Sequence, residues 1–101
     1  MNGNVKIVSR HPGAIRWLKS KFGNAEVIKH LDVADVTSAD TVIGVLPLPM
    51  IKAILDKGAH FILLSLPKVA FSDRGSELTP GEMDDAGAKL SRVGSLQLVD
   101  L

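Results

Sequence analysis

The stretch that most constrains the fold is a strand, a turn and a helix in direct succession near the start of the chain. Residues 5–8 are β-branched except at Lys6 and end at a turn signal, as buried strands do. Ile15, Leu18 and Phe22 then recur at helical spacing along one face. The pattern therefore predicts a buried opening strand joined by a short polar turn to an amphipathic helix.

The turn between them, residues 9–13, predicts a site for an anion. Pro12 suits the first helical turn, where its missing N–H would have no partner in any case, and Gly13 lets a ligand approach the backbone. The first free amides of the helix and the positive end of its dipole should lie beside Arg10 and His11. The guanidinium fork fits phosphate oxygens, and the imidazole can take or give a proton near neutral pH.

Composition narrows the function further. A chain of 101 residues with 46% apolar content predicts one domain, residues 1–101, with a hydrophobic core. Cysteine is absent, and the histidines and acids show no metal-ligand spacing, so neither a metal nor a cofactor is expected. Without a signal-peptide core or a membrane-length apolar run, the expected location is the cytoplasm and no membrane partner is expected.

Charge is unevenly distributed along the chain. Residues 1–30 contain six of the 12 basic side chains and one of the 11 acidic ones, whereas the remainder contains six basic and ten acidic side chains. A local basic excess favours an anionic ligand near the first turn. It argues against DNA as a partner, because a DNA-coating protein would be basic throughout.

The rest of the chain predicts an α/β fold with a mostly parallel sheet flanked by helices. Strands are predicted at 25–30, 42–46 and 60–66, and an edge strand or dimer arm at 95–101. Helices are predicted at 50–55 and from Pro80 to about Arg92. Loops are predicted at 31–39 and, with polar residues, at 69–77. Ligands of such sheets lie beyond the carboxyl ends of the strands. Segments 9–11, 46–48 and 65–67 should converge there with His30, and His60 should lie at the opposite edge.

These groups suit a phosphodiester. In RNA-type cleavage the ribose 2′-hydroxyl is the nucleophile, so the protein has only to align it, remove its proton and stabilise the phosphorane. Ser9 and Ser65 offer hydrogen bonds to ribose or phosphate. A structural interpretation stays open beside this one: Arg10 and His11 could cap the helix and pair with an acid, and Trp17 could be a core residue rather than a base-stacking one.

The motif Val-Ser-Arg-His-Pro-Gly-Ala-Ile at 8–15, followed by Trp17, resembles the opening of a family of small CRISPR-associated accessory proteins found beside type III systems. Segments 30–32, 40–47, 64–66 and 74–78 continue the resemblance in order. It implies a small Rossmann-like (CARF-like) domain acting on cyclic oligoadenylate. The implied activity is that of a ring nuclease, a metal-independent phosphodiesterase that linearises cyclic tetra-adenylate and switches off the antiviral response.

The site expected on these grounds combines three catalytic residues with seven ligand-binding ones. The catalytic set is Ser9, Arg10 and His11, and the ligand-binding set is Gly13, Ala14, Gly44, Leu46, Pro47, Ser65 and Arg74. A homodimer is expected, because a two-fold dimer matches a symmetric ring that a chain this small could hardly enclose. Two alternatives stay open: a sponge that binds cyclic oligoadenylate without cutting it, and a domain that docks a CRISPR effector.

Overall fold

The computed structural model describes residues 4–65, 80–85 and 87–101. Within these ranges the elements are, in chain order, β1 Val5–Val8, α1 Pro12–Lys21, β2 Glu26–Ile28, a 3₁₀ turn Val33–Asp35, β3 Thr41–Gly44, α2 Leu48–Asp56, β4 His60–Ser65, α3 Pro80–Asp85 and β5 Lys89–Arg92. The predicted loop at 69–77 and the predicted site residue Arg74 lie outside the described residues. No helix in the described part of the chain has the length and apolar character to cross a membrane.

The strands form one sheet in the order β2-β1-β3-β4-β5. Strands β1 to β4 are parallel, and β5 runs antiparallel to β4. The predicted α/β fold with a mostly parallel sheet is confirmed. The chain passes from β1 outward to β2, then returns to place β3 on the other side of β1. The strand order therefore reverses between β1 and β3, which makes this the switch point where open α/β sheets bind ligands.

Helices cover both faces of the sheet, because its central strands are apolar on both sides. Ile7 of β1 and Ile43 of β3 are fully buried in a cluster with α1 and α3. Val42 of β3 and Phe61 of β4 are fully buried in a second cluster with α2 on the opposite face. Helices α1 and α2 thus each bury one apolar stripe against the sheet, and for α1 this is the face that the periodicity predicted.

Trp17 joins α1 to α3 and belongs to the core. Its side chain is 2% exposed, and its Nε1–H donates to Asp84 Oδ1 over 2.8 Å. The ammonium of Lys21 lies 4.8 Å from the centre of the indole ring. This confirms the structural interpretation of Trp17, since a ring held between two helices has no free face for a nucleotide base.

The predicted helix at 80–92 is wrong in its second half. Helix α3 ends at Asp85, and Gly87 follows with a φ of +89°. The Gly87 amide donates to the carbonyl of Asp84, and the next amide donates to the carbonyl of Met83, both over 3.1 Å. This left-handed glycine closes the helix in a Schellman arrangement. The glycine was the stop signal that the sequence interpretation passed over.

The residues after Gly87 form the edge strand of the sheet, which was predicted further along the chain. Lys89–Arg92 pairs antiparallel with β4 as β5, with Leu90 opposite Leu64. Residues 95–101, predicted as an edge strand or dimer arm, form no strand. Leu96 packs instead on the cluster beneath α2, so the tail leaves the sheet.

A buried ion pair fastens the segment between β2 and β3 to the first strand. Lys6 Nζ lies 3.2 Å from Asp40 Oδ2 and donates to the Asp35 carbonyl over 3.2 Å. Burial by itself would raise the pKa of Asp40, but the hydrogen bond from the Thr37 amide and the Lys6 ammonium outweigh it and hold the pKa below its usual value. The predicted loop at 31–39 is therefore anchored, and it contains the 3₁₀ turn.

Candidate functional site

A cavity of about 340 Å³ opens at the carboxyl ends of β1 and β3, beside the first turn of α1. Its lining consists of Val8, Ser9, Arg10, His11, Ala14, Gly44, Val45 and Leu64. The cavity lies at the switch point of the sheet, where ligands of this architecture bind. It combines an apolar floor with a small cluster of polar groups, a mixture typical of small-molecule sites.

Five predicted site residues meet at this cavity: Ser9, Arg10, His11, Ala14 and Gly44. They come from the β1–α1 turn, the first turn of α1 and the end of β3. A strand and a helix separated by three residues bring these groups to one sheet edge, as the sequence predicted.

The other predicted site residues in the described ranges do not line the cavity. Gly13 is buried in the first turn of α1. Leu46 packs on the cluster beneath α2, and Pro47 is the N-cap residue of that helix. Ser65 is exposed at the last position of β4, next to the lining residue Leu64. The segment after β3 thus turns toward α2, and Leu46 and Pro47 are not among the residues that line the cavity.

Three apolar lining residues were not predicted: Val8, Val45 and Leu64. Each lies at or just beyond the carboxyl end of a strand, so the strand ends were the signal that could have located them. Val45 is 59% exposed although it is apolar. It gives the mouth of the cavity a surface against which a flat, apolar group can pack.

Gly44 allows β1 and β3 to approach at the floor of the cavity. It pairs directly with Val8 across the two strands. A Cβ atom at this position would lie 2.5 Å from the Val8 carbonyl oxygen, a separation that real Cβ atoms do not adopt. A glycine is therefore required for this close backbone approach, independently of any ligand.

His11 caps α1, as the structural interpretation predicted. Its Nδ1 accepts the amide hydrogen of Ala14 over 3.1 Å, and its own amide donates to Ser9 Oγ over 3.1 Å. Because Nδ1 must keep its lone pair to accept, the neutral ring carries its proton on Nε2. His11 in this position is a hydrogen-bond donor. Taking up a second proton on Nδ1 would break the cap.

The anion site offered by the helix N-terminus is smaller than the sequence suggested. Pro12 has no amide hydrogen, and the amides of His11 and Ala14 are used by Ser9 and by the cap. Within the described contacts of this turn, the amides of Arg10 and Gly13 are the donors left for a ligand. The positive end of the α1 dipole still adds to the charge of Arg10.

Arg10 contacts a histidine rather than the acid that the structural interpretation suggested. Its Nη2 lies 2.5 Å from His30 Nε2 and 3.1 Å from His30 Nδ1. A guanidinium can only donate, so whichever histidine nitrogen accepts from Nη2 is the one without the ring proton, and the tautomer decides which of the two this is. His30 lies just beyond β2, at the same sheet edge as the cavity, whereas His60 begins β4 at the opposite edge, as predicted.

Replacing His11 should show how much its cap contributes to the stability of the fold. His11→Ala removes the cap and is expected to lower the free energy of unfolding by about 1 kcal/mol. His11→Asn supplies a side-chain oxygen that caps well, so its stability should stay near wild type. Urea unfolding followed by the fluorescence of Trp17, the single tryptophan, measures both. Equal losses in the two variants would contradict the capping role.

The fold and the cavity define a doubly wound α/β domain with a ligand site at the switch point. Residues 6–95 match the model of the family described as "Putative CRISPR-associated protein (Cas_VVA1548)". The match covers most of the chain, so this protein belongs to that family and is CRISPR-associated. No curated protein and no solved structure matches the chain.

Proposed function

We propose that this protein binds cyclic oligoadenylate, with cyclic tetra-adenylate as the leading ligand, and linearises it. Such a ring nuclease would end the signalling of type III CRISPR systems. The observation that carries the proposal is the cavity at the switch point, where Arg10 and His11 adjoin the positive end of α1. Membership of a CRISPR-associated family supports the proposal, because a ligand of type III CRISPR signalling requires a protein that acts beside a CRISPR system.

The size of the cavity fits one nucleotide unit of the ring. A volume of about 340 Å³ is near the lower end of the roughly 300–1,000 Å³ that small-molecule sites span. Val8, Val45 and Leu64 offer apolar contact to adenine and ribose. Arg10 and His11 offer charge and a hydrogen bond to the phosphate. The remainder of the ring would lie outside this cavity.

The proposed reaction needs no nucleophile from the protein. The ribose 2′-oxygen attacks phosphorus, the bond from phosphorus to the 5′-oxygen breaks, and the products are linear adenylates with 2′,3′-cyclic phosphate ends. Arg10 would hold two phosphate oxygens through its planar fork. The Nε2–H of His11 and the Gly13 amide would donate to the negative charge that develops on the phosphorane. Ser9 would position the ribose.

A homodimer follows from the shape of the ligand. A cyclic tetranucleotide has rotational symmetry and four phosphates, and a two-fold dimer would present two copies of Arg10 and His11 to it. Sizing in solution is expected to give a dimer. A strict monomer both with and without cyclic tetra-adenylate would contradict this part of the proposal.

The direct test is incubation of cyclic tetra-adenylate with the protein in EDTA, read by chromatography. Linear products are expected, and an intact ring after long incubation with stoichiometric protein would overturn the cleavage. Arg10→Ala should weaken binding about 10- to 100-fold, since a hydrogen-bonded charge contributes about 1.5–3 kcal/mol, and cleavage should fall with it. Arg92→Ala, at the opposite edge of the sheet, is the matched control and should change neither.

One observation favours a second candidate, a sponge that binds the same ring without cutting it. His11 is committed to the helix cap through Nδ1, so it is poorly placed to transfer a proton. Tight binding of cyclic tetra-adenylate with no linear product would establish the sponge. The two candidates share the cavity and differ only in whether another group takes the proton from the 2′-hydroxyl.

A further inference from the structure

We infer that His30, rather than His11, accepts the proton of the attacking 2′-hydroxyl. This inference rests on the proposed function and assigns its missing base. The cap excludes His11, because its Nδ1 lone pair receives the Ala14 amide hydrogen and its Nε2 already carries the ring proton. A base must have a free lone pair near the phosphate that Arg10 holds.

His30 meets that requirement through its contact with Arg10. The guanidinium Nη2 lies 2.5 Å from His30 Nε2, the shorter of its two contacts with the ring. A ring nitrogen that accepts from Arg10 has its lone pair directed at the residue proposed to hold the phosphate. When a phosphate draws the guanidinium away, the lone pair that accepted from Arg10 becomes available. Because Arg10 lines the cavity and contacts the ring, one side chain separates His30 from the cavity lining. Arg10 therefore both binds the phosphate and occupies the lone pair of the base until a ligand arrives.

The charged groups near the ring come from the β1–α1 turn and from its own segment. Arg10, from the β1–α1 turn, is the cation in contact with it. The charged neighbours along the chain are Lys29 and Asp32. The Asp32 carboxylate accepts the Ala34 amide over 2.9 Å and caps the 3₁₀ turn, so it is occupied within its own segment.

The step balances without an added reagent. The O2′–P bond forms as the O2′ proton passes to His30 Nε2, and the P–O5′ bond breaks as O5′ takes a proton from water. The proton on His30 then neutralises the hydroxide left behind. In the net reaction, one phosphodiester bond of the ring is converted into a 2′,3′-cyclic phosphate and a free 5′-hydroxyl. A general base contributes about 10²- to 10⁴-fold to such a rate.

The decisive variant is His30→Gln. Its side-chain carbonyl can still accept from Arg10 but cannot take a proton. Binding of cyclic tetra-adenylate should therefore stay near wild type, while the single-turnover rate falls about 10²- to 10⁴-fold. The fall of the wild-type rate toward acid pH should flatten in this variant, and added imidazole should restore part of the rate of His30→Ala. A merely structural role would produce neither effect.

His60→Gln is the matched control, because His60 also lies near an arginine, Arg92, with 3.5 Å between Nδ1 and Nη1, but at the opposite edge. It should leave the rate unchanged. A His30→Gln variant that cleaves at the wild-type rate with the wild-type pH profile overturns this inference alone. A wild-type protein that never opens the ring overturns the proposed function, and the role of His30 with it.

Discussion

Replacing Lys6 by methionine should lower the free energy of unfolding by about 3 kcal/mol, because it leaves the Asp40 carboxylate buried without its cation. Asp40 is 2% exposed, and the side chain of Lys6 is 11% exposed. This slight exposure places the expected loss at the lower end of the range for buried pairs. Urea unfolding followed by Trp17 fluorescence measures it.

The matched control is Lys52→Met. Lys52 Nζ lies 3.1 Å from Asp56 Oδ1, one helical turn away on the surface of α2. Its removal should cost about 0.3–0.5 kcal/mol, because exposed pairs of this spacing contribute little. Equal losses in the two variants would contradict the role assigned to the Lys6–Asp40 pair. The double variant Lys6→Met/Asp40→Asn should recover part of the loss, since it leaves no unpaired charge.

The same pair sets a dependence on pH. The pKa of Asp40 is lower in the folded protein than its unperturbed value of 3.8, so the unfolded chain takes up a proton more readily. The contribution of Asp40 to stability is therefore present above about pH 4 and is lost as the pH falls through the folded pKa. Asp40→Asn should show a shallower decline in this range than the wild type.

Gly44→Ala is the second large expected effect. The new Cβ would lie 2.5 Å from the Val8 carbonyl oxygen, so β1 and β3 would have to separate at the floor of the cavity. Forcing an extra atom into a packed position costs about 1–3 kcal/mol. The free energy of unfolding should fall by that amount, and binding of cyclic tetra-adenylate should weaken because Val8 and Gly44 both line the site.

Gly94→Ala is the control, since a Cβ there has no heavy atom within 4 Å. Its free energy of unfolding should stay within about 0.5 kcal/mol of wild type. If Gly44→Ala matched it in stability, the backbone contact between β1 and β3 would be looser than described. If stability fell but binding did not, the ligand would lie away from the floor of the cavity.

Local sequence signals predicted much of this fold, because they depend on neighbours along the chain. The doubly apolar strands indicated a central parallel sheet, and Gly58 after Lys57 marked the end of α2, where its φ is +85°. The Pro12 signal fixed the start of α1. The meeting of Arg10 and His11 at the carboxyl end of β1 followed from that short turn.

The features of the fold and the site that the sequence did not predict depend mainly on contacts between distant segments. The contact of Arg10 with His30 joins residues 20 apart and exists only because β2 pairs beside β1. The strand order that creates the switch point is likewise set by long-range pairing, so no local pattern revealed it. Leu46 and Pro47 were placed at the site because they follow a strand, but the chain had already turned toward α2. Two signals were visible locally and overlooked: the helix stop at Gly87 and the strand ends that place Val8, Val45 and Leu64 at the cavity.

The most direct test of the central proposal is a map of backbone amide NMR shifts on addition of cyclic tetra-adenylate. We expect the largest changes at residues 9–14, apart from Pro12, and at residues 44–45. A second cavity, lined by Asn4, Val5, Asn24 and Glu26, lies at the other end of β1 and serves as an internal reference. Changes centred on that cavity, or no change at the β1–α1 turn with saturating ligand, would contradict the proposed site.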